Sequence, residues 1–189
     1  MAEKIIIEVF KTKTCDELSK SIASPDCRAE AGSAAAASAS MAAALLCRAS
    51  ESAVDFEGLD YVKRNAEILR SYMVHLIDED VKSRVALRKA LKEGNAHEIE
   101  AARHPASAVC AEIVNMQIKM LELALQLKGH AEGHLLTECA ALSVGAARCA
   151  AAYILDMSSK CADETYRYIC RRENEMLLNE LEQLAEKLR

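Results

Sequence analysis

The sequence predicts an all-α fold, a bundle of long helices with two alanine-rich helices at its centre, and three observations carry that prediction. The 189 residues include only 6 glycines and 2 prolines, so turns are few and elements long. Aromatic residues make up 4% of the chain and tryptophan is absent, which leaves alanine and leucine, both strong helix formers, to fill the interior. Apolar positions recur at steps of three and four over most of the length. No linker interrupts them, so one domain over residues 1–189 is expected.

At the N-terminus, Ile5, Ile6, Ile7, Val9 and Phe10 are β-branched or aromatic and predict a short extended segment within residues 1–13. Thr14, with Glu17 three residues on, forms a capping box for a short helix over residues 15–23, which Ser24 and Pro25 end. A loop then runs to Gly32. From Ser33, eight of twelve residues to Ala44 are alanine, and the helix is expected to reach residue 53. Small residues on every face let neighbouring backbones approach closely, which places this helix between others.

After a turn over residues 55–58, a helix over residues 59–93 spans roughly 50 Å at 1.5 Å per residue and stops at Gly94. Its buried stripe reads Val62, Ala66, Leu69, Met73, Leu76, Asp80, Leu87 and Leu91. A short helical turn from Asn95 to His104 follows, and Pro105 either starts or kinks the next helix, which ends at Lys128. The seam of that helix is Val109, Ile113, Met116, Met120, Leu123 and Leu127. Beyond a break over residues 129–133, a second small-residue helix covers residues 134–158, with Leu135, Cys139, Leu142, Ala146, Cys149, Tyr153 and Met157 inward. An amphipathic helix over residues 161–188 closes the chain, with Leu177, Leu181, Leu184 and Leu188 on one side.

The formal net charge of -5 comes from 24 basic and 29 acidic residues in mixture, with no basic block to follow a phosphate backbone, so no nucleic-acid partner is expected. The apolar run Ile5 to Ile7 is too short for a signal peptide. The stretch of residues 34–47, broken by serines, falls below the roughly 20 residues of a membrane span. A cytoplasmic chain with no membrane partner is the expectation. Eight cysteines occur singly, with no CxxC pair, and read as small reduced core residues, with no metal site.

Asp80 is the leading candidate for chemistry, because an acid on a buried stripe must be paired or must titrate, and either state serves general acid-base work. Arg84 lies one turn on, about 40° around the same face, and offers the structural alternative of an ion pair. Glu138 and Asp156 point the same way from the second small-residue helix but stand roughly 27 Å apart along its axis. They flank separate sites, meet a partner subunit, or are ordinary solvated positions. His130, Glu132 and His134 sit beside Gly129 and Gly133, which favours a helix cap with exposed imidazoles over a metal site.

Nine residues ahead of the first alanine-rich helix read Pro25, Asp26, Cys27, Arg28, Ala29, Glu30, Ala31, Gly32, Ser33. Leu76, Ile77, Asp78, Glu79 and Asp80 make a hydrophobic pair followed by D-E-D, and His104-Pro105 precedes the next long helix. Over about residues 15–172, this order resembles the cyclodeaminase family, the helical dimers that include methenyltetrahydrofolate cyclohydrolase and the C-terminal domain of formiminotransferase-cyclodeaminase. That family writes the loop as P-x-P-x-P-G-G-G-S, so Glu30 and Ala31 stand at two of its glycine places. Gly129-His130 resembles its glycine-asparagine pair and Thr137-Glu138 its Ser-Asp, and Asp156 and Lys160 stand where asparagines usually end its second small-residue helix.

The resemblance implies a homodimer acting on a tetrahydrofolate derivative without a metal. Formimino-tetrahydrofolate would lose ammonia, or methenyl-tetrahydrofolate would add water. It assigns substrate contact to Gly32, Ser33, Asp78 and Asp156, and proton handling to Asp80 or Glu138. A glycine-rich turn suits such a ligand because it gives room and free N–H donors. Glu30 would be expected to repel the anionic glutamate tail of a folate. The altered loop raises an alternative, a non-catalytic or repurposed homologue that serves as a dimeric small-molecule-binding or assembly protein.

Overall fold

The computed structural model describes residues 9–24 and 29–189. Among the described residues there are six helices and no strand: α1 (Cys15–Ala23), α2 (Ala31–Glu51), α3 (Leu59–Glu93), α4 (Ala96–Gln126), α5 (Gly133–Ser159) and α6 (Glu164–Glu186). The expected extended segment lies largely outside the described residues, and Val9 and Phe10 are not strand. The capping box forms as read: the Thr14 hydroxyl accepts from the Glu17 N–H, and the Glu17 carboxylate accepts from the Thr14 N–H.

Helices α2, α3, α4 and α5 form a four-membered ring of neighbours, in which α2 packs on α3 and α5, and α4 packs on the same two from the opposite side. Helix α6 lies along α5 and α4. The small side chains of α2 explain its place: Ala35, Ala36, Ala39, Ala42 and Ala43 are all buried, so the helix is walled by its neighbours along most of its length. Helix α5 is apolar and long enough by composition to cross a membrane, and half of that stretch is buried inside the bundle.

Several boundaries differ from expectation for physical reasons. Helix α2 starts two residues early, at Ala31, because the Ser33 N–H is met by Asp80 of α3 rather than by a local side-chain cap. Helix α4 runs unbroken through Pro105 from its Asn95 cap. The proline leaves the Ala101 carbonyl without its helical partner, but Ala101 is exposed and water can serve that carbonyl. The last helix begins at Glu164, where the Asp163 carboxylate caps the Thr165 and Tyr166 N–H groups. Leu91 and Leu142, expected inward, are exposed at 52% and 38%. The ring of His130 stacks on Phe56 at 4.4 Å, and its carbonyl accepts from the Val54 N–H, so it joins two loops.

Candidate functional site

The N-terminus of α2 meets the middle of α3 at Asp80. A helix start leaves four N–H groups without helical partners and carries partial positive charge, so a carboxylate is favoured there. The Asp80 side chain is fully buried and supplies it from a distance of 47 residues, accepting from the Ser33 N–H at 2.8 Å and the Ser33 hydroxyl at 2.7 Å. The approach requires Gly32: a β-carbon there would stand 2.1 Å from the Asp80 Oδ1.

Arg84, one turn along α3, donates from its Nε to Asp80 at 3.1 Å, so the ion pair that the spacing offered is formed. Its Nη1 donates to Glu30, and Arg88, a further turn on, donates to the other Glu30 oxygen. Glu30 therefore does not stand as an unopposed negative charge; two guanidinium groups face it, which corrects the expectation that it repels an anion. The Arg84 guanidinium also lies 3.5 Å over the Tyr153 ring from α5. Burial works against the Arg84 charge, but Asp80, Tyr153 and Glu30 outweigh it and raise its pKa above the ordinary value.

Cysteines from two helices border the cluster. The Cys149 thiol donates to the Ala31 carbonyl at 3.5 Å. Burial, with Asp80 adding to it, pushes the Cys110 thiol up to about 12, and burial raises Cys149 as well. Both are therefore protonated at neutral pH and are not nucleophiles in this setting. The Tyr153 hydroxyl is likewise raised, first by burial. Two side-chain atoms of the cluster, Arg84 Nη2 and Tyr153 Oη, are buried with no hydrogen-bond partner among the described residues. Among the described residues, no group of three or more His, Cys, Asp or Glu could hold a metal ion.

The structure thus gathers Gly32, Ser33 and Asp80 and leaves the other candidates outside. Asp78 faces the N-terminal segment, where its Oδ1 accepts from the Phe10 and Lys11 N–H groups at 2.7 and 3.1 Å. Asp156 is exposed and pairs with Lys160 at 2.6 Å. Glu138 is exposed, fifteen residues before Tyr153 on α5 and so roughly 22 Å from it along the axis, which keeps it out of the Asp80 cluster within one chain. Sequence reasoning missed Glu30, Arg88 and Tyr153 as members. The spacing 80, 84, 88 on one face of α3 was the available signal for Arg88.

Chemically, the cluster can pass a proton between the Asp80 carboxylate and the Ser33 hydroxyl, and can offer a polar group the free N–H of Arg84 and the Tyr153 hydroxyl. In comparisons with known proteins, no curated protein matches the chain. Among solved structures it is similar to formiminotetrahydrofolate cyclodeaminase from Thermotoga maritima, with 16% identity, a TM-score of 0.81 and 94% of each chain covered. At that identity the likeness shows the fold, the helical cyclodeaminase fold. A family model described as formiminotransferase-cyclodeaminase matches residues 14–175, a span that includes Gly32, Ser33, Asp80, Arg84 and Tyr153. The chain belongs to the formiminotransferase-cyclodeaminase family.

Proposed function

We propose that this chain is a one-carbon enzyme of the cyclodeaminase or methenyltetrahydrofolate cyclohydrolase type, acting on a tetrahydrofolate adduct at the Asp80 cluster. The observation that supports it most is a buried carboxylate bonded to the Ser33 hydroxyl beside two buried polar atoms that have no partner among the described residues. Native proteins rarely leave such atoms bare, so their presence at a helix start favours a polar ligand there.

In the deaminating direction, a folate nitrogen attacks the formimino carbon, a new C–N bond forms, and the exocyclic C–N bond breaks. The departing nitrogen leaves as ammonia with the proton shed by the attacking nitrogen and one from solvent. In the hydrolytic direction, water adds to the methenyl carbon and one of its two C–N bonds breaks; the freed nitrogen takes one proton of the water and the other is released, which leaves a formyl group. In either, Asp80 takes or returns a proton through Ser33, a role that general acid-base groups fill by geometry first. The Arg84 N–H and Tyr153 hydroxyl orient the substrate.

Mixing purified protein with formimino- or methenyl-tetrahydrofolate and following absorbance tests this reading. Turnover that Asp80→Asn or Ser33→Ala abolishes, with helical content retained, is the expected result. No absorbance change together with no heat in calorimetry overturns it. One observation favours the repurposed homologue instead: Glu30 takes up donors of both Arg84 and Arg88 on the exposed side of the cluster. Binding of a folate without turnover would select that second reading.

The proposal includes a homodimer. The small residues of α2 are spent within the chain, so support comes from elsewhere, from exposed Tyr61 and Ile68 on α3, which with Met116 and Leu123 of α4 line a recess of about 410 Å³. A dimer mass in light scattering at micromolar concentration is expected, and a monomer mass refutes it.

A further inference from the structure

We infer that the Glu30 side chain is a built-in occupant of a carboxylate seat formed by Arg84 and Arg88, and that the seat receives a carboxylate of the ligand when Glu30 leaves. The inference rests on the reading of this cluster as the ligand site.

Glu30 occupies the cap position of α2 but accepts no capping bond from that helix, whose start is served by Asp80. Its two oxygens instead face two guanidinium groups, Arg84 Nη1 on one and Arg88 Nη2 on the other. Donors arranged on both oxygens of one carboxylate are what recognition of a free carboxylate requires. The three partners differ in freedom. Arg84 is 4% exposed at its side chain and held by Asp80 and the Tyr153 ring, whereas Glu30 and Arg88 are 38% and 39% exposed. The fixed cation is therefore inside and the removable anion is at the surface.

Charge points the same way. With Glu30 seated, Asp80 and Glu30 balance Arg84 and Arg88. With Glu30 swung into water, the cluster holds one excess positive charge at the positive end of α2, and a ligand carboxylate restores the balance. Arg84 carries five N–H donors, of which Nε serves Asp80 and Nη1 serves Glu30, while buried Nη2 has no acceptor among the described residues. The Tyr153 hydroxyl also has no partner among the described residues. A ligand oxygen reaching past the seat can satisfy Nη2, which Glu30, bonded to Nη1, does not do.

An internal competitor reduces apparent affinity to the intrinsic value multiplied by the fraction of molecules whose seat is empty. The test uses p-aminobenzoylglutamate and glutarate as carboxylate probes, inorganic phosphate as the other anion, and calorimetry on the full chain. Glu30→Ala is expected to bind the carboxylate probes at least about ten-fold more tightly than the original chain. Adding Arg88→Ala to that variant is expected to cancel the gain, with phosphate responding less because the seat matches two oxygens in a plane. Glu30→Gln, which keeps the side-chain volume, gives the same direction if Glu30→Ala folds poorly. Unchanged affinity in both Glu30 variants overturns the inference, as does a gain that survives Arg88→Ala or one seen for phosphate alone. No folate turnover is needed for this readout, so a chain that binds the probes as described but turns over no folate overturns the proposed activity and leaves the seat standing.

Discussion

Replacing Gly32 by alanine isolates the contact on which the site is built. The added methyl would lie 2.1 Å from Asp80 Oδ1, 2.6 Å from its Cγ and 3.1 Å from its Oδ2. A flexible carboxylate at the surface would simply turn away. This one is fully buried and accepts three hydrogen bonds, from the Ser33 N–H, the Ser33 hydroxyl and Arg84 Nε, so moving it strains or breaks all three. Bonds to charged groups contribute about 1.5–3 kcal/mol each, and disturbing one member of a buried ion pair costs about 3–5 kcal/mol because the other charge is left behind. The higher helix propensity of alanine offsets about 1 kcal/mol. A net loss of about 2–4 kcal/mol follows, a large part of the roughly 5–15 kcal/mol of a typical domain. Urea unfolding followed by circular dichroism measures it. Gly145, inside α5 with nothing within 4 Å of a β-carbon, is the control, and Gly145→Ala is expected to stabilise by about 0.5–1 kcal/mol. In an Asp80→Ala background the cost of Gly32→Ala should largely vanish, as coupling between neighbours requires. A Gly32→Ala chain as stable as the original, or one whose loss is unchanged by removing Asp80, refutes the reasoning.

Asp78→Ala should free the N-terminal segment by removing the acceptor of the Phe10 and Lys11 N–H groups. A loss of about 2–4 kcal/mol and faster proteolysis near Phe10 are expected, and unchanged cleavage would contradict the anchoring role. Burial lifts the Cys110 and Cys139 thiols from 9.0 to about 12, so the folded chain keeps protons that the unfolded chain releases. Their contribution is complete below about pH 9 and is lost as pH rises towards 12, with a slope of up to about 1.4 kcal/mol per pH unit for each thiol. Unfolding curves of the original chain and the Cys110→Ala, Cys139→Ala variant across that window check it; equal slopes would count against it. Thiol labelling at neutral pH with peptide mapping should reach exposed Cys15 well before Cys110 or Cys139, and equal labelling rates would contradict the burial.

The helices were legible because their signals are local. A capping box at Thr14, glycines at 58, 94 and 129 in the left-handed region, and three-four apolar spacing act over a turn or two of chain. Pro105 reads as a start or a kink because sequence does not reveal that Ala101, whose carbonyl it orphans, is exposed. Leu91 and Leu142 show that a stripe extrapolated at a fixed angle places a residue on a face but not beneath a neighbour. In the site, Asp80 stood out as an acid in a leucine's place, and Arg84 was found by its one-turn spacing. The pairing of Glu30 with residues 54 and 58 positions away was not legible, and so its charge was read as repulsive. Tyr153 looked like one more core residue until Arg84 lay on its ring. Glu138 and Asp156 shared a face with each other, but a shared face does not bring either to the start of α2.

The central claim is that the start of α2, the middle of α3 and the Tyr153 turn of α5 form one ligand site. Hydrogen–deuterium exchange with 5-formyl-tetrahydrofolate, a stable relative of the formimino adduct, tests it most directly. The account predicts slowed exchange in residues 29–36, 76–88 and 149–157 together, reduced by Arg84→Ala. Slowed exchange confined to another surface, such as the cavity lined by Ser107, Tyr166 and Asn174 between α4 and α6, or no change at saturating ligand, would contradict it.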